Sequence, residues 1–532
     1  MSKQWDVIVV GAGVGGLSAA ARLVQAGLRV LVLEKSLHPG GTAYVYTRKG
    51  FTFPMGPLGF STPELVRRTL TTLGQRDDLD FDRVHYQVRA FDVKVPLSLP
   101  FSQVEDEVAK LFPGDAEGIK RFFGDMDKIL AAMQLPDREM NRSLLERAVG
   151  ISARDYLRGL IKDWRLRRIA GSLATREPFT GLPLLAAMWN LMAREGIWYP
   201  KGGMRSFCHR LAKAVTSEGE KNGGFGEIKL GAEVKEIRVR NGRVSGVTLA
   251  GGADIDAAAV ISNADYKATF MRMVQSEVLP DEWYSAVTKA KQTNSIFQVC
   301  LGVDTNRVDL SGFSEASRLI SRRSEGGSGQ GQERLDWLAA EIDPEALALQ
   351  ELEVSLWSRE DPTLAPNGGA VFVIRTEAEY THFAQYRPAR GQRIRAYFGY
   401  KTRLGQALVR ETANLIPGLE DAVLAMDVAT PLTFEERGGR SEGAVAGWSW
   451  DYEYNSDYQA VELVRTPIRG LYMAGYQAYS ALFMGGVPMA VASGHSAADA
   501  LLQGAGPVKE VRIPGRRALR PPLKRNVKIL TP

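Results

Sequence analysis

The sequence predicts an α/β protein in which a parallel-sheet domain is interleaved with a second, α+β domain, and three observations carry the prediction. The 532 residues are 45% hydrophobic and 24% charged, too long for one small core and too apolar for a disordered chain. The first fifty residues read strand, glycine turn, helix, strand, the order of a parallel βαβ unit. Strand patterns return after residue 190 and after residue 426, while the stretches between carry mixed helical, strand and aromatic segments. The expected division is 1–74, 190–294 and 426–505 for the first domain and 75–189 and 295–425 for the second, with 506–532 as a tail.

Residues 6–10 read as a short buried strand, and Gly11, Gly13 and Gly16 follow as GxGxxG, with Val14 and Gly15 between them. The alanine-rich residues 17–25 continue as a helix. In a Rossmann-type unit the first glycine permits the tight turn, the second lets a pyrophosphate approach the backbone, and the third lets helix and strand pack closely. The phosphates then meet the positive end of the helix. A second strand, 29–33, ends at Glu34, 18 residues beyond Gly16, where an acid accepts hydrogen bonds from a ribose. Order, context and acid together specify a dinucleotide site.

The residues that follow, Lys35-Ser36-Leu37-His38-Pro39-Gly40-Gly41-Thr42, resemble the extended N-terminal signature of the phytoene desaturase, carotenoid isomerase and retinol saturase group of flavoproteins, relatives of the amine oxidases. The resemblance implies FAD rather than NAD, a Rossmann-type FAD-binding domain with an interleaved α+β substrate domain, and FAD contacts from Glu34, Lys35, Gly40, Gly41 and Thr42. It continues in patches. Trp198 to Met204 is similar to the group's YPxGG turn, leading into a helix over 205–216. Residues 231–237 alternate as a strand, and Asn241-Gly242 is a favoured hairpin turn. By resemblance, Val234 is where backbone groups meet the adenine. Residues 259–265 match VxSNAD, a strand returning to the cofactor domain, with Asn263 and Asp265 in a scaffold role.

Thr430 to Arg437, with Gly443, Gly447 and Trp448 after it, resembles the TPxTxER segment near the substrate cavity of carotenoid isomerases. Trp448 fits either core packing or a cavity wall. Residues 470–475 read as the last strand of the cofactor domain, and Gly485-Gly486-Val487-Pro488 opens a helix over 489–502. By resemblance that helix aims its N-terminus at the flavin pyrimidine, so Gly475, Gly486 and Val487 join the FAD contacts. The chain departs from the group's pattern where Tyr476 replaces the acid after Gly475, where Pro54 stands near an acid position, and where Glu436 replaces the arginine of TPxTxER.

Other chemistries find no support. Lysine plus arginine number 67 against 61 acids, a net +6 that makes no case for nucleic acid. Cys208 and Cys300 lack a CxxC spacing and read as core thiols of a reducing compartment. The five histidines show no metal spacing, so no metal site is expected. The chain opens on a charged leader and a strand, and the apolar stretch 182–193, interrupted by Asn190, is shorter than the roughly 20 residues that span a bilayer. A cytoplasmic protein is expected, peripheral at a membrane at most. The polar, glycine-rich residues 321–330 read as a surface loop, and the tail past Gly506 as basic and extended, either solubilising or touching anionic lipid.

The resulting expectation is an FAD-dependent oxidoreductase acting on carbon–carbon double bonds of a hydrophobic polyene or isoprenoid, by desaturation, saturation or cis–trans isomerisation. Tyr476 and Tyr479 are the candidates for a catalytic group, because the resemblance places them near the cofactor. Two alternatives stand beside it: a flavin amine oxidase, disfavoured by the 430–448 segment, and a non-catalytic prenyl-lipid-binding protein of the GDP-dissociation-inhibitor type. The intact GxGxxG and Glu34 argue against the second, and Tyr476 argues for it.

Overall fold

The structure is a computed structural model and describes residues 5–75, 79–91, 93–135, 138–171, 181–216, 223–322, 341–389, 391–450, 461–480, 485–509 and 512–515. Strand β1 (Trp5–Val10) is buried except at Asp6, which suits a central position in a sheet covered on both faces. It pairs in parallel with β2 (Arg29–Leu33) on one side and with Asp254–Ser262 on the other. Phe225–Lys229 extends the sheet beyond β2, and Leu471–Met473 lies beside Asp254–Ser262, both parallel. The chain therefore leaves β1 through helix α1 (Val14–Gln25) to β2 and resumes on the opposite side of β1. That reversal opens a crevice at the C-terminal ends of the strands, where such sheets bind ligands.

The hairpin Val234–Arg240 and Arg243–Leu249 turns through Asn241 and Gly242, with φ of +52° and +71°, the two left-handed residues that match strand twist. Its second strand pairs with Asp254–Asp256 before that chain joins the parallel sheet, so the insert is tied directly to the cofactor-side core.

A second, mixed sheet runs in the order Val423–Ala429, Ser295–Asp304, Gly369–Ala378, Leu352–Leu356, Arg318–Arg322, Tyr86–Ala90, Val93–Pro96. Alternate residues of Ser295–Asp304 serve two interiors. Phe297, Val299, Leu301 and Val303 pack with Leu404 and Leu408 of helix Arg395–Ala413. Gln298, Cys300 and Gly302 face the hairpin Val45–Arg48 and Phe51–Pro54: the Gln298 amide donates to the Pro54 carbonyl at 3.3 Å, and a Cβ on Gly302 would lie 2.3 Å from the Phe51 ring. The hairpin thus packs on the inner face of the second sheet. Burial pushes the Cys208 and Cys300 thiols up to about 12, as core thiols require.

A helical layer spans Phe101 to Gly171 and centres on the edge-to-face rings of Phe122, Phe123 and Trp189. Within its long helix Ala116–Gln134, Gly124 is exposed and an added Cβ meets nothing within 4 Å. Gly124→Ala is therefore expected to raise stability by about 0.5–1 kcal/mol through lower chain entropy in the unfolded state, read as a higher denaturant midpoint at unchanged slope. An unchanged or lower midpoint would show that the helix surface is covered there.

Several local expectations are refined. The apolar stretch around Asn190 is helical throughout, with Leu182–Asn190 continuing through one wider turn, Leu191–Glu195. Among the described residues no helix is long and apolar enough to cross a membrane. The C-terminal helix is Gly486–Leu502 rather than 489–502, because Gly485 caps it and Pro488 falls within the first turn, whose amides need no helical partner. Ser321 and Arg322 belong to a strand, not a loop, and the remaining glycine-rich residues to 330 lie outside the described residues. The start of the tail packs back: the Val508 amide donates to the Thr466 carbonyl at 3.0 Å and Ile513 is buried, while residues 516–532 lie outside the described residues.

Candidate functional site

A cavity of about 520 Å³ opens at the C-terminal ends of β1, β2 and Asp254–Ser262. Gly11, with φ of +94°, turns the chain out of β1 and donates its amide to the Leu33 carbonyl at 2.8 Å. α1 then begins at Val14 with Gly13 as its cap and no side chain covering its first amides, so these donors are left for a ligand. The second glycine pair locks onto the first: the Gly40 amide donates to the Ala12 carbonyl at 2.7 Å, and a Cβ on Gly41 would sit 3.2 Å from the Gly13 Cα. A Cβ on Gly40 would strike the Cys208 side chain and one on Gly41 the Gly13 backbone, so the two turns can close on each other only as glycines.

Glu34 is buried at the end of β2, and its two oxygens accept the amides of Ala12 at 2.7 Å and Ser36 at 2.8 Å. Each oxygen keeps a lone pair for a ribose hydroxyl. Val234, Lys35 and Thr42 line the same cavity. At the other wall, Gly475 donates its amide to the Ser493 hydroxyl at 2.9 Å, and that hydroxyl donates back to the Gly475 carbonyl at 2.8 Å. This fastens the last strand to the C-terminal helix, whose Gly486 and Val487 face the cavity with the helix's positive end.

Gly11, Gly13, Val14, Gly15, Glu34, Lys35, Gly40, Gly41, Thr42, Val234, Gly475, Tyr476, Gly486 and Val487 are thus brought to one cavity. Gly16 is not on it: a Cβ there would lie 2.1 Å from the Gly11 carbonyl oxygen, so its part is close packing of helix and strand. Tyr479 is not on it either. Its hydroxyl sits 2.5 Å from the Ser496 hydroxyl of the C-terminal helix, and it belongs to a short strand, Tyr479–Ser480, paired with Val461–Glu462. Trp448 resolves toward core packing, with its indole N–H donating to the Gln477 carbonyl at 2.9 Å and its ring edge-on to Tyr266.

Asn263 and Asp265 do more than end a strand. The Asn263 side chain fills the space beside Gly13, Gly15 and Gly475, so these glycines converge on one amide group. Asp265 accepts the Ala268 amide at 2.9 Å and the Ser441 amide at 3.1 Å, tying the VxSNAD strand to the segment after Thr430. Sequence reasoning missed the cations of the cavity, Arg272, Arg375 and Arg440. Arg375 reaches it from the second sheet, its Nε donating to the Gln298 side-chain carbonyl oxygen at 2.8 Å and an Nη to the Gly56 carbonyl. Only Arg440 carried a sequence signal, standing directly after Gly438-Gly439. Among the described residues no group of histidine, cysteine and acid side chains could hold a metal.

The switch-point crevice, the bare start of α1, the ribose-side acid and the surplus of cations fit a dinucleotide with its anionic pyrophosphate, and together they define an FAD-type dinucleotide-binding oxidoreductase. The model of the flavin containing amine oxidoreductase family matches residues 14–339, and the chain belongs to that family; its cofactor is FAD. It is 28% identical to a chloroplastic prolycopene isomerase of Daucus carota over 83% of this chain and 72% of that one. It is 26% identical to a lycopene-forming phytoene desaturase of Pseudescherichia vulneris over 93% of this chain and 99% of that one. In fold it is similar to an oxidoreductase from Methanosarcina mazei, with a TM-score of 0.62 at 18% identity, covering 93% of this chain and all of that one.

Proposed function

We infer that the chain performs FAD-dependent chemistry at carbon–carbon double bonds of a hydrophobic polyene or isoprenoid, as the names of its isomerase and desaturase relatives suggest. The observation that supports this over amine oxidation is the character of the cavity. Met55, Pro57, Ile296 and Phe434 form an apolar patch of the same cavity, where the two sheets approach. The reading assigns cofactor contacts to the cavity-lining glycines with Val14, Glu34, Lys35, Thr42, Val234 and Val487, and divides the chain at the boundaries given above, with the one after residue 425 moved past Ala429 because Val423–Ala429 is a strand of the second sheet.

When bound, the flavin supplies a ring that takes or returns hydride or electrons. The protein's own share is to bind, orient and exclude water: the glycine turns and α1 fix the cofactor's phosphates, Glu34 its ribose, and the apolar patch orients the hydrocarbon. Such a substrate dissolves in lipid, so delivery from a membrane surface belongs to the same reading.

Purified protein is expected to carry a visible flavin band. Fed carotenoids, retinoids and prenyl lipids in anionic liposomes, it should change product mass by two hydrogens or shift the isomer ratio, and it should sediment with the vesicles. Peroxide formed from amines, with polyenes untouched, would move the assignment to amine oxidation; a folded chain that stays colourless with added FAD would end the enzyme reading.

A further inference from the structure

Where the last strand of the parallel sheet ends, the flavoproteins this chain resembles carry an acid, and this chain carries Tyr476. The Tyr476 hydroxyl oxygen is buried, belongs to a residue on the cofactor cavity, and meets no acceptor at hydrogen-bond geometry, although the Asp265 carboxylate lies close by. Leaving a buried hydroxyl unsatisfied costs about 1–3 kcal/mol, a cost that disappears if a ligand completes the bond. Burial first, and the nearby Asp265 carboxylate second, push this phenol well above the ordinary tyrosine range, so it stays a protonated donor rather than an acid or base.

The Tyr476 ring has its own partner. The Arg440 guanidinium lies 4.8 Å from the ring centroid, and it is held there by three directed bonds. One Nη donates to the Ala444 and Val445 carbonyls at 3.1 and 2.7 Å, and the other to the Thr42 hydroxyl at 2.7 Å. Thr42 directly follows the Gly40-Gly41 turn that closes on Gly13. Among the described residues Arg440 makes no ion pair. A fixed cation and an unsatisfied donor therefore share one wall of the cavity, beside both glycine turns.

We propose that Tyr476 and Arg440 replace the missing acid as this chain's grip on the cofactor, the phenol donating a hydrogen bond to FAD and the guanidinium offering charge to its anionic stretch. An acceptor has been exchanged for a donor and a cation. The proposal rests on the FAD assignment above, and it makes Tyr476 a positioning residue with no proton to transfer.

Deflavinated wild type, Tyr476→Phe, Tyr476→Asp, Arg440→Lys and Arg440→Gln are to be titrated with FAD by fluorescence at low and high salt, with thermal melts of each apo form. Tyr476→Phe should weaken FAD about five- to tenfold, the worth of one hydrogen bond, while its apo form melts at or above the wild-type temperature because an unsatisfied hydroxyl is gone. A residue needed only for structure would lower the apo melt instead. Arg440→Gln should weaken FAD by about tenfold or more and flatten the salt dependence, and Arg440→Lys should recover part of both. Tyr476→Asp should bind worse than Tyr476→Phe, since the new carboxylate pairs with Arg440. Wild-type affinity in both Tyr476→Phe and Arg440→Gln, or tighter binding by Tyr476→Asp, overturns the proposal while the FAD assignment stands. A wild-type chain that binds no FAD at all removes the assignment and this grip with it.

Discussion

A Gly13→Val chain is expected to fold, to melt near the wild-type temperature without cofactor, and to retain no flavin. The backbone at Gly13 has φ of −70° and ψ of 172°, a conformation open to any residue, so the substitution brings no backbone strain. The added Cβ would lie 2.6 Å from the Asn263 side-chain nitrogen, the far end of a group that can swing aside. What cannot be recovered is the bare backbone of the glycine turn, which a pyrophosphate has to approach closely. The expected loss in FAD affinity is at least about a hundredfold, or about 2.7 kcal/mol. Two measurements separate the outcomes: fluorescence titration with FAD, and the rise in melting temperature that FAD gives wild type by mass action and should not give the variant. Stoichiometric flavin in the purified variant would show that the glycine turn does something other than admit phosphate.

How far the molecule could be read from its sequence follows from how local each signal is. β1, the glycine turn, α1, β2 and Glu34 are contiguous, and each contributes by rules of turn, cap and period that act over a few residues, so their placement on the cavity was legible. The hairpin at Asn241-Gly242 was legible for the same reason. The order of the second sheet was not: it pairs Arg318–Arg322 with Tyr86–Ala90 in parallel across more than two hundred residues, and no local pattern records that register. The cavity cations were hidden similarly. Arg375 stands opposite Gln298 on the neighbouring strand of the second sheet, and only the folding of that sheet onto the cofactor domain brings it to the cavity. Tyr479 shows the converse error, since closeness in sequence to Gly475 placed it near the cofactor, and a two-residue strand turns it toward Ser496.

Gly494→Val is expected to be more damaging than Gly13→Val, and its damage should fall on folding rather than on binding alone. Gly494 lies in the middle of Gly486–Leu502, where glycine weakens a helix by about 1 kcal/mol relative to alanine, so local propensity favours replacing it. Tertiary contact decides otherwise. A Cβ there would sit 2.2 Å from the Gly15 carbonyl oxygen, 3.0 Å from the Ser18 Cβ and 3.1 Å from the Ala19 nitrogen, nearly all backbone of α1. Backbone inside a helix cannot step aside, so the two helices must separate. Separation would strain the Arg22–Asp499 pair at 2.6 Å and draw Ser493 away from Gly475, and both helices line the cofactor cavity. The expected cost exceeds about 3 kcal/mol, a large part of the roughly 5–15 kcal/mol that holds a domain together. The apo form should therefore melt far below wild type or accumulate as insoluble chain, and saturating FAD should not rescue it, which sets it apart from Gly13→Val, where the apo melt is preserved. A soluble Gly494→Val protein with a wild-type apo melt would mean that the two helices are farther apart than 2.2 Å allows, and the walls of the cavity would have to be redrawn with them.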